Sequence, residues 1–206
     1  MGISYNPSIV TEGLVLALDP QSPRFYNYKG RSVAFDGTGD YLTLASSGDF
    51  AFGTGDFTVE CWIYTTNTTS DTFYRRIYMT DGPTGNAGGN FQIALEPSTG
   101  KVNLWDSVLN LLGTSNVCNG VWHHVVGCRS GTTLRLFVDG VLESSTTYST
   151  SVSPNSGSPR PRIGSYSGTT GDFDGYISSI KSYKGKGLTA EEVEQNYNAL
   201  KGRFGL

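Results

Sequence analysis

Apolar and polar residues alternate with a period of two through a long series of short runs. Leu14, Leu16 and Leu18 alternate with Val15, Ala17 and Asp19, and Val33 and Phe35 alternate with Ser32, Ala34 and Asp36. Leu42 and Leu44 follow the turn Asp36-Gly37-Thr38-Gly39. Phe57, Val59, Cys61 and Ile63 share one face of the next run; Thr58, Glu60, Trp62 and Tyr64 share the other. Further runs cover 72–79, 90–96, 101–105, 108–112, 121–129, 132–138, 141–147, 161–166 and 173–183. Side chains of an extended chain point alternately to opposite sides, so each run predicts a strand with one face on a core. About twelve strands in two antiparallel sheets packed face to face are expected.

Two turns and one helix sharpen this picture. Asp139-Gly140 separates Leu134–Val138 from Val141–Glu143, and Asp-Gly suits a two-residue hairpin because both positions need positive φ. Asp106-Ser107 predicts a second hairpin between 101–105 and 108–112. Near the end the period changes. Thr189 with Glu192 makes a capping box, and Leu188 with Val193 a hydrophobic staple. Val193, Tyr197 and Leu200 then form one apolar stripe. A helix over 189–201, ended by Gly202, is predicted to dock on the sandwich, with Phe204 pinning the tail.

Composition agrees with an all-β chain that buries its own core. The 206 residues include 27 glycines, and no linker or repeat divides them. Residues 1–12 are assigned to an N-terminal arm and 13–206 to one domain. The net charge is −3 with 15 Lys and Arg and no basic stripe, which argues against nucleic acid as a partner. No apolar run reaches the roughly 20 residues of a membrane span. Met1–Val10 lack the basic start and apolar stretch of a signal peptide, so the chain is expected to work where it is made or to be exported by another route, such as release inside a virus particle. Cys61, Cys118 and Cys128 are an odd number without metal spacing and are read as free, buried thiols, a Cys118–Cys128 bridge being the alternative.

These runs add up to a resemblance. Val33-Ala34-Phe35-Asp36-Gly37-Thr38-Gly39-Asp40-Tyr41-Leu42 resembles the early strand pair of laminin G-like jelly rolls, and Phe57–Ile63 resembles their next core strand. Trp122-His123-His124-Val125-Val126 followed by Leu134–Gly140 is the most specific match in order and spacing, and Phe173-Asp174-Gly175-Tyr176-Ile177 completes it. The resemblance covers 13–201 and implies a concanavalin A-like jelly-roll sandwich. Gly13–Asp19 and Gln195–Phe204 are similar to the ends of such domains in structural proteins of tailed, especially marine, bacteriophages. That similarity implies a place on the virion surface, as capsid decoration, tail fibre or adhesin, among other virion proteins or copies of itself.

Candidate chemistry is sparse. Related glycoside hydrolases use two carboxylates about 5–5.5 Å apart in retaining members, whereas the corresponding strand here carries Glu60 alone. His123 and His124 are the two histidines, and neighbours on a strand point apart, so they cannot chelate one metal together. No catalytic residue is assigned and a non-enzyme is expected. Calcium is common in relatives of this fold. The loop 80–90, with Asp81, Asn86 and Asn90, and the set Asp19, Asp36 and Asp40 hold oxygen ligands, but both lack the dense acidic spacing of a calcium loop. No cofactor is therefore assigned and no metal ligand set is chosen. For a sugar, an aromatic platform beside amides is needed, and Trp105 near a hairpin tip and Tyr166 before a Ser/Gly/Thr loop are the candidates. Asn67-Thr68-Thr69 fits a glycosylation acceptor that matters only in a secreted eukaryotic chain. The candidate ligand-binding residues are thus Asp81, Asn86, Asn90, Trp105 and Tyr166. The expected function is a non-enzymatic virion surface component that contacts glycans; the alternative is a secreted or cell-surface lectin. The loop 80–90 is expected at an exposed rim near Trp105.

Overall fold

The computed structural model describes residues 8–20, 32–67, 73–81, 89–152, 160–167 and 170–206. Thirteen strands and one α-helix follow one another along these residues. The strands are β1 (Leu14–Leu18), β2 (Val33–Asp36), β3 (Leu42–Thr43), β4 (Phe57–Tyr64), β5 (Arg75–Met79), β6 (Gln92–Leu95) and β7 (Lys101–Asp106). They continue with β8 (Leu109–Asn116), β9 (Trp122–Ser130), β10 (Thr133–Val138), β11 (Val141–Thr147), β12 (Arg162–Ile163) and β13 (Asp174–Lys184), and the helix is α1 (Ala190–Leu200). One sheet of seven strands runs β1-β13-β4-β9-β10-β11, with β2 also paired to β13; the other, of six, runs β3-β12-β5-β6-β7-β8. All pairings are antiparallel, giving the two-sheet sandwich expected from the alternation, with the jelly-roll architecture that the resemblance implies.

The core lies between the sheets. Phe57, Val59, Cys61 and Ile63 of β4 enter it from one side; Ile93 and Leu95 of β6 and Val102 and Leu104 of β7 enter from the other. Asp139 and Gly140 both have positive φ, 51° and 82°, as the β10–β11 hairpin requires. Asp106 closes the β7–β8 turn differently: its Oδ1 accepts from the N–H groups of Val108 and Leu109, so the side chain replaces a positive-φ residue. The outer edge of the six-stranded sheet is covered within the chain. The Glu143 carboxylate on β11 accepts from the N–H groups of Thr114 (2.9 Å) and Ser115 (3.3 Å) on β8.

Two irregularities break simple alternation. The β1–β13 register shifts between Leu14 and Leu16. Leu14 therefore packs outside the seven-stranded sheet while Leu16 and Leu18 pack inside, where strict alternation would put all three on one face. In β13 the register to β4 shifts between Ser178 and Lys181, at Ser179 with φ 48°. One extra residue exchanges the faces beyond it. Ile177 and Ile180 both face the core, while Tyr183 packs outside with α1.

Thr189 caps α1 as predicted, its side chain accepting from Glu192 N–H while the Glu192 carboxylate accepts from Thr189 N–H. Gly202 does not end the helical segment. The chain tightens into a 3-10 turn over Lys201–Phe204 and stops at Gly205, which is left-handed. Of the predicted arm 1–12, residues 1–7 lie outside the described residues. Beyond them, Ser8 C=O accepts from Gln195 (2.6 Å) and Val10 N–H donates to Asn196 (2.7 Å), tying this stretch to α1. The run 161–166 forms only the two-residue β12. The three cysteines are free and buried; Cys118 belongs to the core between the sheets and Cys128 to the cluster under α1, so the 118–128 bridge does not form.

Candidate functional site

Each sheet has an outer face, and the two are built differently. On the six-stranded sheet the register aligns Thr43, Arg162, Met79, Gln92, Trp105 and Asn110 in one row across the strands. A second row holds Arg76, Ala94, Asn103 and Leu112. Met79, Gln92, Ala94 and Asn103 are buried and form a floor. Above it lies a half-buried layer of Arg76, Trp105, Tyr74 and Tyr166.

Arg76 is the centre of that layer. Its guanidinium carbon sits 5.2 Å from the ring centre of Tyr166, 5.6 Å from Tyr74 and 5.8 Å from Trp105. Nε donates to Gln92 Oε1 (2.7 Å) and Nη1 donates to the Tyr74 carbonyl. Nη2 has no acceptor among the described residues. Burial pulls its pKa from 12.5 to about 10, with Tyr166 and Tyr74 acting the other way, so it remains a cation at neutral pH. A second guanidinium lies on the same face: Arg162 is 4.1 Å from the ring centre of Tyr41, and its Nη1 is 3.4 Å from the Tyr166 carbonyl.

The outer face of the seven-stranded sheet holds charges of both signs under a roof. Glu60 is fully buried, 2.7 Å from Lys181 Nζ, and its oxygens also accept from Asn196 Nδ2 of α1 at 3.2 and 3.0 Å. His124 Nε2 lies 3.4 Å from Glu60 Oε2. Burial by itself would raise the Glu60 pKa; Lys181, then His124, outweigh it and hold the carboxyl at about 2. Trp62 stacks on Phe204 (4.3 Å), His124 (5.1 Å) and Tyr197 (5.6 Å), so the helix and its 3-10 tail cover this face. Glu60 therefore points away from the intersheet core, as the alternation required, but is enclosed beneath α1 rather than exposed to solvent.

The structure brings Trp105 and Tyr166 together around Arg76. Asp81 and Asn90, two residues beyond Met79 and Gln92, are both buried and bonded to each other, with Asn90 Nδ2 donating to the Asp81 carbonyl and Asn90 Oδ1 accepting from Asp81 N–H, each at 3.2 Å. Together they close the base of the loop 80–90. Asn86, and residues 82–88 generally, lie outside the described residues, and with them the position expected for the loop tip near Trp105. Asp19 is bound by Arg203 (2.7 Å), while Asp36 and Asp40 brace their own turn. Among the described residues no group of three His, Cys, Asp or Glu side chains could hold a metal ion. His123 and His124 do point apart: His123 bonds Asp139 (2.7 Å) and Asn119 (3.0 Å) at the strand end. Asn67 donates to Asp174 (2.7 Å), and Thr68 and Thr69 lie outside the described residues. Arg76, Arg162 and Tyr74 were not singled out in the sequence; an arginine inside a β-run is the signal that marks the first.

Comparison with known proteins agrees with this architecture. No curated protein sequence matches the chain significantly. The leech intramolecular trans-sialidase contains a similar structure, with TM-score 0.67 and 18% identity over 92% of this chain and 28% of that one. The binding domain of Paraclostridial Mosquitocidal Protein 1 gives 0.65 and 15%, over 91% of this chain and 52% of that one. The chain thus spans between a quarter and about half of these proteins. The CBM40 of the Ruminococcus gnavus IT-sialidase, bound to α2,3 sialyllactose, is matched over 97% of its length and 77% of this chain, with TM-score 0.57 and 15% identity. The laminin G model described as the concanavalin A-like lectin/glucanases superfamily matches residues 36–194, more than half of the sequence, and the chain belongs to that superfamily.

Proposed function

We propose that this domain is a non-catalytic carbohydrate-binding module whose ligand lies on the outer face of the six-stranded sheet. The observation that carries the reading is the convergence of Trp105, Tyr166 and Tyr74 on Arg76 at that face. A sugar ring offers apolar C–H faces and a rim of hydroxyls. Aromatic rings serve the first, and the guanidinium and amides such as Asn110 serve the second. The match to a sialidase CBM40 over nearly its whole length supports the same reading. Glu60, the carboxylate that a hydrolase would need on its strand, is instead taken up by Lys181 and Asn196 beneath α1. The similarity of Gly13–Asp19 and Gln195–Phe204 to phage structural proteins favours the virion surface as the setting.

A glycan array tests the reading. The protein is expected to bind a defined subset of glycans without cleaving them, and Trp105→Ala to lose that binding while keeping its fold. Silence on the array, or unchanged binding by Trp105→Ala, would refute it. Neighbouring genes that encode no virion components would remove the phage setting alone.

A further inference from the structure

Several buried or half-buried cations of the described residues are taken up by partners within the chain, and two are not fully. Arg129 is fully buried and donates to the carbonyls of Gly53, Gly55 and Thr150, so its donors are used to pin two loops. Lys181 pairs with Glu60, Arg203 with Asp19 and Lys186 with Glu192. Arg76 and Arg162 have no carboxylate partner among the described residues, although both are half-buried and both touch Tyr166, Arg76 at its ring and Arg162 at its carbonyl.

We infer that the ligand of this face is an acidic glycan, whose carboxylate is gripped by the terminal fork of Arg76 with Arg162 as the second cation. The inference rests on the carbohydrate-binding reading and narrows it to sugars such as uronic or sialic acids. Gln92 occupies Nε and the Tyr74 carbonyl occupies one N–H of Nη1. The remaining Nη1 and Nη2 hydrogens form the end of the planar fork that pairs with both oxygens of a carboxylate. Tyr74, Trp105 and Tyr166 fix the plane of that fork before any ligand arrives, so little side-chain freedom is lost on binding. Partial burial strengthens the attraction relative to open water. Two groups on the same side of the sheet also lack partners: Arg162 Nε and, in the floor, Asn103 Oδ1 are buried without a hydrogen bond. A net charge of −3 makes general attraction of anions a poor substitute for this local pair.

Calorimetric titration tests the inference with matched probes: α2,3-sialyllactose against lactose, trigalacturonate against its methyl ester, and 3′-sulfated lactose as a non-carboxylate anion. At least one acid is expected to bind tenfold or more tighter than its neutral partner and than the sulfated sugar. Arg76→Gln should erase that preference, and Arg76→Lys, which keeps the charge but not the fork, should restore only part of it. If Arg76→Gln fails to fold, the acid-against-neutral comparison on the unaltered protein decides alone. Equal binding of acids and neutral partners, or of carboxylate and sulfate, overturns the inference and leaves the carbohydrate module standing. An array that binds no glycan overturns both.

Discussion

The two outer sheet faces carry similar ingredients and end differently. Each presents a long cation: Lys181 beside Glu60 on the face that also carries Trp62 and Tyr183, and Arg76 among Tyr74, Trp105 and Tyr166 on the other. On the seven-stranded sheet the cation is neutralised by Glu60, and α1 adds Asn196, Tyr197 and, through its tail, Phe204. On the six-stranded sheet the charge is held by an amide and a carbonyl and finds no carboxylate among the described residues. A buried charge is tolerated when it is paired. Pairing thus marks the helix-covered face as structural, and the unpaired guanidinium marks the other as the face proposed for a ligand.

The largest expected effect comes from breaking the paired face. Glu60→Gln leaves Lys181 buried without its counter-ion and should cost about 3–5 kcal/mol in urea unfolding. Adding Lys181→Met should recover much of that loss; a single variant as stable as the parent would remove the distinction between the faces. Val193→Asp, which places a charge at a fully buried helix position, should cost about 3 kcal/mol and release α1, seen as a lower melting temperature.

A smaller effect follows from acid. The Glu60 carboxyl is held at about 2 against an ordinary 4.5, because Lys181 and His124 outweigh burial. The unfolded chain therefore takes up the proton first. Stability from this group is complete above about 4.5 and is lost as the pH falls through 2. Acid unfolding followed by circular dichroism should show this slope, and Glu60→Gln should flatten it. The smallest effect belongs to the other face: Arg76→Gln should change stability by about 1 kcal/mol or less, since no buried carboxylate is left unpaired by it. A loss as large as that of Glu60→Gln would make Arg76 a structural residue like Arg129.

Local rules made parts of this molecule legible from sequence. Asp139-Gly140 and the Thr189–Glu192 capping box each act within four residues, and the alternation of Phe57–Tyr64 sorted core from outer side chains correctly. The bulge at Ser179 was written in the spacing of Ile177 and Ile180, three apart where a regular strand needs two or four, and the reading by period passed over it. Asn196 was invisible as an anchor because a helix stripe is read from apolar residues, and its partners Val10 and Glu60 are far away in sequence. The candidate site is non-local in the same way. Tyr74 and Arg76, Trp105 and Tyr166 come from three distant segments, and only sheet register and the chain after β12 bring them together. Trp105 and Tyr166 could be nominated by type, whereas Arg76 carried only the signal of lying inside a β-run, which it shares with Arg75.

On the proposed reading, ligand meets the six-stranded sheet and not the helix-covered one. The three tryptophans report on it separately, since Trp105 lies on the first face and Trp62 and Trp122 pack with Phe204 under the second. In a proton–nitrogen correlation spectrum, titration with a glycan that the array identifies should shift the indole N–H of Trp105 and leave those of Trp62 and Trp122 in place. A shift confined to Trp62 or Trp122, or to none of the three, would contradict the account.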